Sequence, residues 1–192
     1  MSHGGIDIPV IETERLVLRG FTERDFPAYA AMRADAEVMT FLGGTQDPHT
    51  AWRGMAAMVG HWALRGFGFF CIEEKASGTC IGHCGPWYPH DWPDYEIGYT
   101  LARSAQGKGY ATEAARAALR FAYEDLGWTT AISVIDPQNH ASQNVARKLG
   151  ATKERQDVPI WDFTADIWRH PSPAQFLAQP RNHQPTDEHC QQ

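Results

Sequence analysis

The chain contains no run of about 18 apolar residues, the length a membrane-crossing helix requires, which excludes a helical membrane span. Positive charge is short as well. Lys and Arg total 17 against 23 Asp and Glu, a net charge of −6, and no basic run occurs. A nucleic-acid partner gripped through its phosphates is therefore not expected. The acidic balance leans instead toward a cationic substrate such as an amine. Cysteine is scarce, at four residues with no C-x-x-C pair. Cys80 and Cys84 read onto one face of a strand with His83 on the other, so buried reduced thiols are expected there and no metal site. The first residues, Met1 to Asp7, lack the basic-then-apolar profile of a secretion signal, so the expected compartment is the cytoplasm.

What is present is globular. Apolar residues make up 43% of 192, seven of them Trp, enough for one domain with a real core. Ile11 to Phe21 reads as a strand, and Thr22 with Asp25 as the start of a helix running to about Ala34. A second helix fits His49 to Leu64, where Trp52, Met55, Ala56, Val59 and Ala63 recur at 3–4 spacing; Arg65-Gly66 ends it. Phe67 to Glu74 and Cys80 to Tyr88 are β-prone runs joined by a turn at Lys75 to Gly78. After a loop over Pro89 to Pro93 come a strand at Tyr95 to Leu101, a helix over Glu113 to Leu126 and a strand at Trp128 to Ile135. A short helix at Asn139 to Leu149 follows, stopped by Gly150. Ala151 to Trp168 supplies two more strands around Pro159. From His170 the chain is rich in Pro, Gln and His, and a loosely docked tail is expected. The order describes an α+β domain with one mixed sheet.

The most informative stretch joins the Tyr95 strand to the next helix: Gln106, Gly107, Lys108, Gly109, Tyr110, Ala111, Thr112. Two glycines and a small alanine let backbone close around a bulky group, and the first helical turn leaves N–H groups unpaired, an anion site suited to phosphate. A Walker A loop is excluded because no Ser or Thr follows Lys108 in register. A dinucleotide fingerprint would need a third glycine where Thr112 stands. Asp136 lies later than the ribose-binding acid of such a fold, and too little chain follows it.

Gln106 to Ala111 matches [Q/R]-x-x-G-x-[G/A], which resembles the acyl-CoA pyrophosphate loop of the GNAT superfamily of N-acetyltransferases. Glu96 to Tyr99 before the loop, Gly109 to Ala114 after it, the Asn139-x-x-Ser142 helix ending at Lys148-Leu149-Gly150, and Thr13 to Arg19 resemble its RimJ/RimL-like branch. The resemblance covers roughly residues 11 to 168. It implies a mixed, largely antiparallel sheet of about seven strands, splayed between strands four and five and flanked by helices. Residues 1–170 would form the acyl-CoA-dependent N-acyltransferase domain and 171–192 the tail.

The reaction so implied is attack of a neutral primary amine, peptide α-amine or small molecule, on the thioester of acetyl-CoA. The amides of Gln106 to Thr112 would hold the pyrophosphate, with Lys108 adding charge or facing solvent. The strand edge near Thr100 and Leu101 would pair with the pantetheine arm and give an N–H to the carbonyl oxygen. Asn139 would anchor the arm from across the gap. A lysine-like amine is neutral at pH 7 for only about four molecules in ten thousand, a handicap of about 4.6 kcal/mol, against about 1.4 kcal/mol for an α-amine. Glu96 is the candidate base, or else only orients the amine. The position where many GNAT enzymes carry an acid tyrosine is Ala146 here; the resemblance offers Ser142 instead, with Tyr99 and Tyr110 in reserve. No metal is implied, and monomer or homodimer both remain open. Two other readings stay in play: a non-catalytic acyl-CoA-binding domain and, behind it, a dehydrogenase.

Overall fold

The computed structural model describes residues 6–179. They build one eight-stranded sheet in the order β1-β2-β3-β4-β5-β6-β8-β7. The strands are β1 (Ile11–Glu12), β2 (Leu16–Arg19), β3 (Phe70–Glu74), β4 (Thr79–Trp87), β5 (Glu96–Leu101), β6 (Ile132–Ile135), β7 (Thr152–Ile160) and β8 (Phe163–Arg169). Helices α1 (Phe26–Ala34) and α2 (Pro48–Arg65) fall between β2 and β3, α3 (Tyr110–Glu124) follows β5, α4 (His140–Lys148) follows β6, and α5 (Pro173–Leu177) comes last. Only β5 and β6 run parallel; every other pair is antiparallel. None of these helices is long and apolar enough to cross a membrane.

The core has two sides. Ala114, Ala115, Ala118 and Leu119 of α3 pack with Leu16, Leu18, Ile72 and Ile97 on one face of the sheet. Tyr29 and Met32 of α1 and Met55 and Met58 of α2 pack with Cys71 and Cys80 on the other. The run of small alanines brings α3 close to the sheet, which fixes the start of that helix against the end of β5.

Four expectations are corrected. Ile11 to Phe21 is not one strand. Thr13 donates its N–H to Leu16 C=O at 2.9 Å and accepts the Leu16 N–H on its hydroxyl at 3.1 Å, so β1 folds back on β2 and the strand count is eight. The splay expected after the fourth strand consequently lies between β5 and β6. On α2 the buried stripe is Ala51, Met55, Met58 and Trp62, whereas Trp52, Ala56 and Ala63 face outward. Cys80 and Cys84 lie on opposite faces, Cys80 toward α1 and Cys84 toward α3. Ile72 pairs with Gly82 and Glu73 with Cys80, so Ile81 is an extra residue, and this bulge shifts the alternation by one.

The fourth correction concerns the chain after His170. It docks firmly through α5: Ser172 caps the helix by accepting the Gln175 N–H, and Phe176 is buried in the α3 core. The Phe176 ring meets Tyr123 edge-on at 5.8 Å, with the Arg116 and Arg120 guanidiniums 5.9 Å from its centroid. The packed domain therefore extends past residue 170; residues 180–192 of the expected tail lie outside the described residues. Phe176→Ala should lower the free energy of unfolding by about 3–4 kcal/mol, read as a lower urea midpoint at unchanged m-value. A loss under about 1 kcal/mol would mean that α5 docks only loosely.

Candidate active site

β5 and β6 separate after a single register pair, Glu96 with Ile132. Ile132 donates its N–H to Tyr95 C=O at 2.8 Å. A parallel ladder started this way would run its next β6-to-β5 rung from Val134 N–H to Ile97 C=O. Both groups are bonded elsewhere. The Val134 N–H goes to Glu96 Oε1 at 3.3 Å, and the Ser133 hydroxyl donates to Ile97 C=O at 2.9 Å. Two side chains thus satisfy the backbone where the strands part, and the gap widens toward the ends of β5 and β6, where the glycine loop begins.

Ser133 in turn lies 3.0 Å from His170 Nε2. With the Ser133 proton given to Ile97, Nε2–H is the donor of that contact, so His170 is neutral and its Nδ1 lone pair is buried without a partner. Burial pushes the His170 pKa down to about 4, in keeping with that state.

Glu96 sits at the apex of the gap, only 7% exposed. Burial pushes its pKa up to about 7, although the N–H groups of Val134 and Trp92 pull the other way. Trp92 Nε1 donates to Oε2 at 2.8 Å. Gly98 keeps the space beside the carboxylate open: a Cβ there would lie 2.9 Å from the Phe69 ring and 3.5 Å from Glu96 Oε1.

Along β5 the direction of the amides decides what can pair across the gap. Ala102 N–H bonds Ile81 C=O, so in the antiparallel ladder with β4 the residues 100, 98 and 96 also face β4, while 101, 99 and 97 face the gap. Thr100, expected to offer its N–H at the gap, is turned to His83 instead. Leu101 keeps that orientation and Tyr99 joins it. The Leu101 carbonyl accepts Gln106 Nε2 at 3.0 Å, tying the loop to the strand end.

Gly107 and Gly109 adopt φ of +75° and +84°, conformations that cost an L-residue strain. Gly109 is the N-cap of α3 and provides no side-chain cap, so the first amides, Tyr110 to Thr112, have no acceptor within the helix. Arg15 pins the loop from below: it donates to Lys108 C=O at 3.0 Å and lies 4.5 Å from the Tyr110 ring centroid. Its partner Glu113 also accepts the Thr13 hydroxyl at 2.6 Å and the Arg15 N–H at 2.9 Å. Burial alone would raise the Glu113 pKa, but these donors hold it below the usual value. Tyr110, one of the reserve acids, spends its hydroxyl on Glu74 at 2.7 Å and is core. The loop thus carries an open cradle with unpaired N–H donors, which fits a pyrophosphate. Lys108 is exposed at its tip.

The other wall is α4. Asn139 caps it, accepting the Ser142 N–H at 3.0 Å, which leaves the amide nitrogen of Asn139 outside that cap. Ser142 is half-buried, and its backbone carbonyl accepts the Tyr99 hydroxyl at 3.1 Å across the gap. Ala146 packs into the sheet with Ile135, Ala151 and Trp168, away from solvent. Glu96, Leu101, Gln106 to Thr112, Asn139 and Ser142 therefore surround one gap and the loop at its end. Among aromatics such as Trp92 and Trp161 the sequence suggested an acceptor-side wall, but it gave no sign of the Trp92 bond to Glu96 or of Arg15, Ser133 and His170. The partners of Arg15, Ser133 and His170 are distant in the chain, 36 to 98 positions away, and no spacing signals them.

Among the described residues one group could offer three metal ligands, Asp25, Cys71 and Cys80. The Asp25 carboxylate, however, is already held by both Nη atoms of Arg19 at 2.8 Å.

The chain belongs to the acetyltransferase (GNAT) family, whose domain model matches residues 15–152. It is similar to the Bacillus subtilis protein YkkB, uncharacterized, with 33% identity over 72% of this chain and 82% of that protein. It also resembles the uncharacterized N-acetyltransferase YnaD of the same organism, at 28% identity over 75% and 83% of the two chains. Among solved structures, an acetyltransferase from Agrobacterium tumefaciens superposes with a TM-score of 0.78 at 34% identity, covering 86% of this chain and 95% of that one.

The raised Glu96 pKa has a consequence for stability. The folded state holds this proton more tightly than the unfolded state, so the contribution is complete below pH 4.5 and lost as pH rises to about 7. Replacing Glu96 by Gln should therefore flatten the decline in urea midpoint between pH 5 and pH 8. Identical declines in the two proteins would mean that Glu96 titrates normally.

Proposed function

We propose that this chain transfers the acetyl group of acetyl-CoA to a primary amine, with Glu96 as the base. The observation that carries the reading is a buried carboxylate of pKa about 7 at the apex of a strand gap that opens onto an uncapped helix N-terminus. A base with a pKa near the working pH combines a useful ionised fraction with real proton affinity.

Each residue then has a task. Backbone N–H groups from Gly107 to Thr112 hold the pyrophosphate, the Gln106 N–H being taken by Arg103 C=O at 3.1 Å, and the α3 dipole favours its charge. The gap-facing edge of β5 pairs with the amides of the pantetheine arm as an added strand would, and the Asn139 amide meets the arm from α4. The Leu101 or Tyr99 N–H donates to the carbonyl oxygen as charge builds on it. The amine nitrogen forms the C–N bond, its proton passes to Glu96 directly or through one water, and the C–S bond breaks. The thiolate takes a proton from the Ser142 hydroxyl or from solvent. Because a thiol of pKa about 8.5 is already a fair leaving group, Ser142→Ala should cost less than about tenfold in kcat.

The decisive variant is Glu96→Gln. It should bind acetyl-CoA with unchanged affinity, lose at least about tenfold in kcat/KM and lack the rising limb near pH 7 in its pH–rate profile. If wild type binds acetyl-CoA but turns over no amine, the chain is an acyl-CoA-binding domain without catalysis. Turnover by the variant at the wild-type rate would remove Glu96 from the chemistry.

A further inference from the structure

Glu96 is roofed by aromatic side chains that the chemistry above leaves unused. Trp92, whose N–H holds the carboxylate, meets Trp161 at 4.9 Å and Phe163 at 6.1 Å between ring centroids. Trp161 is 63% exposed and Phe163 42%. Beneath them Val134, Val158, Ile132, Ile160 and Ile167 form an apolar floor with Trp92.

Trp161 occupies an unusual place. It is the first of the two residues linking β7 to β8, where Ile160 pairs with Phe163, and its φ is +50°. Among the described residues Asp162, the second of the two, has no positive φ, so the pattern is that of a II′ hairpin turn, whose first position favours glycine. A bulky exposed indole is held in strained backbone beside the candidate base, and strain of this kind is an indicator of function.

The charges around this wall narrow what it would accept. Asp94 is paired to Arg169 at 2.6 Å, Glu154 to the same guanidinium at 2.6 Å, and Asp166 to Lys153 at 2.5 Å. Asp91 faces His90 at the solvent rim, where Asp162 is also exposed. The carboxylates behind the wall are thus paired with Arg169 and Lys153, the rim acids Asp91 and Asp162 stand in solvent, and the wall itself offers ring faces.

Resting on the acetyl-transfer reading, we infer that the acceptor is a primary amine on an aromatic skeleton, an arylalkylamine, its ring against Trp92, Trp161 and Phe163 and its nitrogen toward Glu96. Aromatic rings pair edge-to-face or offset at such a site, and Trp92 links the ring subsite directly to the carboxylate.

The test compares 2-phenylethylamine, propylamine, spermidine and two tripeptides, with N-terminal Phe or Ala, by thiol release from acetyl-CoA. Phenylethylamine should exceed propylamine and spermidine by at least about tenfold in kcat/KM. Trp161→Gly, which relieves the turn, should fold with equal or higher Tm yet bring the phenylethylamine-to-propylamine ratio close to one, mainly through KM. Equal or better turnover of propylamine or spermidine, or an unchanged ratio in the variant, overturns the inference. Acceptance of the Phe tripeptide alongside phenylethylamine places the same ring chemistry on a polypeptide; its rejection places it on a free amine. If no amine is acetylated, the acetyl-transfer reading fails, and tryptophan fluorescence decides the subsite separately. Saturable quenching by phenylethylamine that Trp161→Gly removes supports it, and no quenching overturns it.

Discussion

The structure turns on one missing rung of a parallel ladder. Val134 N–H and Ile97 C=O would bond if β5 and β6 stayed together, and that bond would seal the sheet. Buried backbone groups cannot be left unpaired without a cost of about 1–3 kcal/mol each, and where the strands separate Glu96 and Ser133 take up the two groups. The gap is thus built from side-chain chemistry as much as from sheet twist. His170, donating to Ser133 from the end of β8, ties the same point to a third strand.

This arrangement gives Glu96 two roles that constrain one another. As an acceptor for Val134 and Trp92 it is structural, and as a buried acid lifted to about 7 it suits the proton transfer proposed for it. Burial is what makes the second role available, and the two N–H donors keep the shift moderate. The loop after β5 has a similar double character. Gly107 and Gly109 need left-handed backbone, and the absence of a capping side chain leaves the first amides of α3 unpaired. Arg15, fixed by Glu113, keeps that loop from collapsing onto the sheet.

Much of this was legible from the residues in order. The two glycines before α3, the short helix from Asn139 to Gly150 and the turn at Lys75 to Gly78 carry local chemistry that survives folding unchanged, so the loop and the element order could be placed. What was not legible depends on distant partners or on symmetry in the pattern. Helix α2 carries two apolar stripes, and periodicity cannot say which one meets the sheet. The bulge at Ile81 turned Cys84 away from Cys80, and nothing local announces an extra residue in a strand. Thr100 and Leu101 differ only in which neighbour their amides face, a property of pairing with β4. Ser133 and His170 reach the gap from two separate segments, and Phe176 finds its pocket only once α3 is packed.

The central claim is that the loop and gap hold acetyl-CoA, and calorimetric titration of the purified protein tests it most directly. Acetyl-CoA should bind at about micromolar affinity, near −8 kcal/mol, with no heat from NADH or ATP under the same conditions. Binding of NADH, or no binding of acetyl-CoA, would contradict the account and require the strand, loop and helix to serve a different ligand.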